Sequence, residues 1–133
     1  MSSYQQVLVE KGLVSVEDID AAERLREENG LRLDKALIQN GAITERAFLE
    51  VMGERLDFDV IDLPGVAIEP EAIQSLPSRF VNRNHLAPIA RENGILKVAT
   101  SDPFDLYLFD EIKLLTGLEV RPVLAPRDEI DKV

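Results

Sequence analysis

A chain of 133 residues can form one compact domain or two small subdomains, and a composition 45% hydrophobic and 30% charged belongs to a folded protein rather than a disordered or fibrous one. Its 25 acidic against 15 basic residues leave a formal net charge of -10, which repels phosphate polymers and anionic lipid at long range and sets nucleic acid aside as a partner. No cysteine is present, so disulfides and thiolate metal sites are excluded, and no stretch approaches the ~20 apolar residues of a membrane span; the expected location is cytoplasmic, with no direct membrane insertion.

Residues 2–57 carry apolar residues at three- and four-residue spacing, punctuated by Gly12, Gly30 and Gly41, and predict four short helices. Ser15 is the expected N-cap of the second, with Glu17 and Asp18 at its positive end, Ile19, Ala22 and Leu25 facing inward, and Asn29-Gly30 as the stop. Thr44 and Glu45 open the fourth in the same way, followed by Phe48, Val51, Met52 and Leu56. A shift of 29 positions (37 minus 8) lays residues 8–15, LVEKGLVS, over residues 37–44, LIQNGAIT. The chain thus repeats a unit of helix, glycine stop and capped helix.

Residues 58–63 predict an extended strand, and Pro64-Gly65 a turn. A boundary near here separates a helical subdomain, residues 1–57, from an α+β subdomain, residues 58–133. Residues 70–76 and 77–84 are expected to be short helices, each opened by a proline. Asn93-Gly94 between the apolar runs 86–91 and 95–100 is a strong hairpin signal. The next helix is expected to be capped by Asp102 with Pro103 at its first position, to turn Leu106, Phe109, Ile112 and Leu115 inward, and to stop at Thr116-Gly117. Residues 118–124 predict a third strand, with Pro122 marking an edge, and residues 127–133 a last helix whose unfinished pattern predicts continuation into a longer polypeptide. The fold class is α+β: an N-terminal four-helix layer followed by a small three-stranded sheet packed with helices.

The repeat at 8–15, the run 58–63, and VATSDPFD at 98–105 continuing to LTGLEV at 115–120 resemble the N-terminal region of the type II secretion and type IV pilus assembly ATPases, the general secretory pathway protein E family. The resemblance covers nearly the whole chain. It implies a non-catalytic docking and regulatory domain that binds the cytoplasmic domain of an inner-membrane platform protein, with the ATPase motor domain in the same polypeptide. The domain is then peripheral to the inner membrane through its protein partner, and the helical layer of residues 2–57 presents the partner surface. The sequence contains no G-x-x-x-x-G-K-[ST] phosphate loop, so no hydrolysis is expected of it.

The same resemblance implies an alternative, a cyclic di-GMP sensor, since members that bind this regulatory ligand carry two copies of a pattern close to Arg-Leu-Gly-x-x-Leu-Val-x-x-Gly. An arginine there can grip guanine or phosphate, and the small residues admit the ligand to the backbone. The second copy here supplies Arg32, Leu33, Leu37, Ile38 and Gly41, but Asp34 replaces its glycine; the first supplies Leu8, Val9 and Gly12, but Ser3 stands where the arginine would be. An added carboxylate and a missing guanidinium both weaken an anion site. Read from the residues alone, the apolar positions are core and the two glycines are helix stops.

A third class, a stand-alone enzyme, finds no nucleophile, base and orienting group. His85, the single histidine, is expected to cap or pack, and Asp102, Asp105, Asp110 and Glu111 form no calcium loop, so neither a metal nor a cofactor is expected.

Overall fold

The computed structural model describes residues 3–133, and the chain divides into two compact units, the first ending at Met52 and the second comprising Gly53–Val133. The first unit holds α1 (Ser3–Glu10), α2 (Val16–Asn29), α3 (Leu33–Gln39) and the first two turns of α4 (Glu45–Leu56). Each helix is too short to be stable alone, so tertiary burial must hold it. Leu8, Leu37, Leu49 and Phe48 are among its fully buried side chains, and α2 packs on α3.

Ser15 accepts a hydrogen bond from the Asp18 amide at 3.0 Å while the Asp18 carboxylate accepts one from the Ser15 amide at 2.8 Å, a reciprocal capping box. Thr44 Oγ1 caps α4 through the Ala47 amide at 3.1 Å. Gly12 and Gly41 have φ of 72° and 76°. The Leu13 amide then reaches back to the Leu8 carbonyl and the Ala42 amide to the Leu37 carbonyl, both at 3.0 Å, a Schellman closure made twice with the same 29-position offset (13 to 42, 8 to 37).

The second unit is built on a three-stranded sheet in the order β1 (Leu86–Glu92), β2 (Ile95–Thr100), β3 (Glu119–Leu124). Asn93 and Gly94 both have positive φ, 54° and 77°, as a two-residue hairpin turn requires, and β1 runs antiparallel to β2. The chain then crosses through α7 (Leu106–Thr116), so β3 returns parallel to β2 and the sheet is mixed. One face of the sheet carries Leu86, Leu96 and Val98 against Phe80, Leu108 and Ile112 of the helices. The other carries Ala87, Ile89, Ala99 and Val123 against Leu63 and Ile130. Helical segments therefore cover both faces: α7 with α5 (Pro70–Ile73) and α6 (Ser78–Asn84) on one, and α8 (Arg127–Asp131) with a 3-10 turn at Leu63–Gly65 on the other. Covering both faces is why β1 and β2 read as apolar runs rather than as alternating strands.

Three local expectations are corrected. The run 58–63 is not a strand; it makes a single bridge, Val60 to Leu124, and Leu63 passes directly into the 3-10 turn. Asp102 does not cap α7. Its carboxylate accepts from the Phe104 amide at 3.0 Å in a turn of its own, and Asp105 is the N-cap, accepting from the Leu108 amide at 3.2 Å. With the start displaced, α7 buries Leu108 and Ile112 and leaves Leu106 and Leu115 exposed. Apolar residues at 106–109, 112, 114 and 115 offer the helix two faces, and packing on the sheet selects one.

Candidate functional site

The site implied by the repeat lies in the first unit, where the second copy places Arg32 as the residue before α3 and Leu33, Asp34 and Leu37 within that helix. Leu8, Leu33 and Leu37 are buried and serve as core positions of the first unit. Arg32, Val9 and Ile38 keep accessible surface, and at Gly12 and Gly41 an added Cβ would meet no atom within 4 Å. Their positive φ is what a glycine supplies at both places.

The polar residues of the two copies come together differently from a ligand-open site. Gln5 and Asp34 occupy equivalent positions of the repeat, 29 apart (34 minus 5), and are buried polar residues at 8% and 3% exposure. Asp34 Oδ2 accepts a hydrogen bond from a terminal nitrogen of Arg32 at 3.2 Å. The guanidinium stays 45% exposed while the carboxylate is 4% exposed, so the acid is the member that would suffer if the pair were broken. Burial raises the Tyr4 phenol above its ordinary pKa, with Asp34 adding in that direction and a hydrogen bond from Gln5 opposing it. The phenol is therefore neutral near pH 7, and its ring meets Phe48 edge-to-face at 6.0 Å between centroids. Arg32 and Arg26 act on the phenol in the opposite direction to Asp34, so the cluster holds charges of both signs. An anion arriving there would meet Asp34 as well as Arg32.

In the second unit His85 ends α6 in the left-handed conformation, its amide bonded to the Val81 carbonyl, which is the capping role expected of it. The side-chain partners were not legible in the sequence: Nδ1 lies 3.0 Å from Asp131 Oδ1 and Nε2 lies 2.6 Å from a terminal nitrogen of Arg127. Because a guanidinium only donates, Nε2 accepts and Nδ1–H donates to Asp131. The hydrogen bond from His85 lowers the Asp131 carboxyl pKa, and Arg127 adds to that. The arrangement looks like the base and orienting acid of a catalytic set, but the lone pair a base would use already faces Arg127. Arg127 and Asp131, four apart on one helix, could have been paired from spacing alone; a histidine 46 residues before Asp131 could not. Among the described residues no group of three or more His, Cys, Asp or Glu is disposed to hold a metal.

A model of the MshEN domain family matches residues 55–133 of the chain, more than half of its length. The chain is 29% identical over 120 residues to the type IV pilus assembly ATPase PilB of Myxococcus xanthus, covering 90% of the chain and 21% of PilB. It is 30% identical over 130 residues to the type II secretion system protein E of Xanthomonas campestris, covering 95% of the chain and 23% of that relative. The chain thus spans about a fifth of the length of these relatives. Among solved structures, MshE with cdg superposes with a TM-score of 0.87 at 27% identity, covering 99% of this chain and 96% of that one. The N-terminal domain of XpsE superposes at 0.78 with 30% identity, covering 97% and 89%.

The α+β unit and the capped helical repeat before it are thus matched along nearly their whole length by the N-terminal domain of XpsE. The chain belongs to the MshEN domain family.

Proposed function

We propose that this chain is the docking and regulatory domain of a type II secretion or type IV pilus assembly ATPase, that its helical layer, residues 2–57, binds the cytoplasmic domain of an inner-membrane platform protein, and that a motor domain follows in the same polypeptide. Through that partner the domain works at the cytoplasmic face of the inner membrane. No helix among the described residues is long and apolar enough to cross a membrane, so attachment through a protein is the simplest route.

The observation that carries this reading is the Arg32–Asp34 pair. The repeat keeps its core leucines and its helix stops, which a docking layer needs, while the positions where the ligand-binding pattern has glycine hold Gln5 and a carboxylate paired with Arg32. An open cleft of about 530 Å³ beside α2 is lined by Asp18, Arg24, Leu25, Glu28 and Asn40 among others.

A second reading, a cyclic di-GMP sensor, draws on the likeness to MshE with cdg. Calorimetric titration of the chain with cyclic di-GMP separates the two. The expected result is no saturable heat at ligand concentrations of hundreds of micromolar, with retention of the chain by an immobilised platform-protein cytoplasmic domain. Saturable micromolar binding that Arg32→Ala abolishes would make the chain a sensor.

A further inference from the structure

Five large apolar side chains are exposed along one short stretch of the second unit: Phe104 at 40%, Leu106 at 63%, Tyr107 at 88%, Leu114 at 86% and Leu115 at 55%. A single exposed leucine needs no explanation, because much of any protein surface is apolar. On α7, Tyr107 and Leu114 share one side, with Leu106 and Leu115 on its two flanks, an exposed apolar surface on the order of a few hundred Å², the size at which such surface signals an interaction. The inner face of α7 already carries the core through Leu108 and Ile112, so these residues are surplus to the packing of the sheet.

Tyr107 and Leu114 are seven residues apart, two turns on the same side of α7 and ~10 Å along its axis. Between them, at three and four residues from Tyr107, stand the exposed acids Asp110 and Glu111. The nearby Lys113 is held by Glu119 at 2.8 Å, so its charge is largely offset. At about 100° per residue the two acids fall on either side of the Tyr107–Leu114 line, so the strip is apolar along its length and bordered by carboxylates.

We infer that this face of α7 docks an amphipathic helix of a partner protein whose apolar stripe is bordered by Lys or Arg. Charge selects that occupant. A second copy of this chain would bring its own Asp110 and Glu111 against the same pair, with a net charge of -10 on each side. An anionic bilayer would meet the same repulsion. A helix presenting apolar anchors at i, i+3 or i+4 and i+7 matches the two-turn length of the strip, and its basic flank matches the acids. The small area belongs with transient contacts, suited to an assembly that cycles. This surface is independent of the helical layer proposed above, and its failure would leave that reading intact.

The test uses the full chain with methyl-labelled leucines and a synthetic helical peptide of about 18 residues with leucines at those spacings bordered by lysine, beside a twin with glutamate in place of lysine. The Leu106, Leu114 and Leu115 methyl signals should move with the lysine peptide and not with the glutamate twin. Tyr107→Ser with Leu114→Ser, both at exposed positions, should weaken binding at least about tenfold without lowering thermal stability. Asp110→Lys with Glu111→Lys should reverse the preference between the twins. The inference is overturned if those methyls do not move, if both twins bind alike, or if the double serine variant binds as tightly as the parent. It is equally overturned if the same methyls shift on self-association of the chain or on adding phosphatidylcholine–phosphatidylglycerol vesicles, which would assign the face to a second copy or to lipid.

Discussion

Asp34 shows how one substitution at a repeat position changes the chemistry of a site. Its carboxylate is buried and relies on Arg32, so Arg32→Ala should destabilise the chain by about 1–3 kcal/mol, the cost of an unsatisfied buried acceptor, read as a lower denaturation midpoint with unchanged m-value. At the surface the consequence is a titration. The Asp131 carboxyl pKa is depressed in the folded state, so its contribution is present above the ordinary carboxylate pKa and is lost as pH falls through the lowered value. His85→Ala should return the Asp131 carboxyl titration, followed by carbon NMR, toward the ordinary range. Gly53 answers to space rather than charge: a Cβ there would lie 2.6 Å from the Phe58 carbonyl oxygen and 2.8 Å from Val60 Cγ2. Gly53→Ala should cost about 1–3 kcal/mol and lower the melting temperature, because the first obstacle is backbone and cannot swing aside.

At the level of elements, caps decide where these short helices begin. Ser15→Ala removes the hydroxyl side of a capping box and Thr44→Ala a side-chain cap of α4; each should cost about 1 kcal/mol in denaturant unfolding, because each leaves one amide of the first turn, that of Asp18 or of Ala47, without its side-chain acceptor. These devices were visible in the sequence because a cap and its partner lie within three residues. The start of α7 was not, since Asp102 and Asp105 are equally good caps by type and only the buried ends of Thr100, Ser101 and Pro103 place the turn before the second. Pro122 was read correctly as an edge signal. It lies in β3, one of the two outer strands, where a missing amide leaves no gap in the pairing with β2.

For the molecule as a whole, a net charge of -10 weighs against phosphate polymers as partners, the sequence carries no G-x-x-x-x-G-K-[ST] phosphate loop, and the 29-position repeat together with the 98–120 block points to the family. The caps of α2 and α4, the hairpin and each copy of the repeat are carried by residues near one another in the chain, and these were readable there. What the tertiary structure alone decided depends on residues far apart. It made the sheet mixed by returning β3 parallel to β2, brought His85 to Asp131 and Arg127, and buried Asp34 beside Arg32 in a cluster with Tyr4. It also chose which apolar side of α7 would face the core and which would be left to solvent. The reason is physical: periodicity shows that a helix has an apolar side, but when two sides qualify, only the shape of the surface it packs against selects between them.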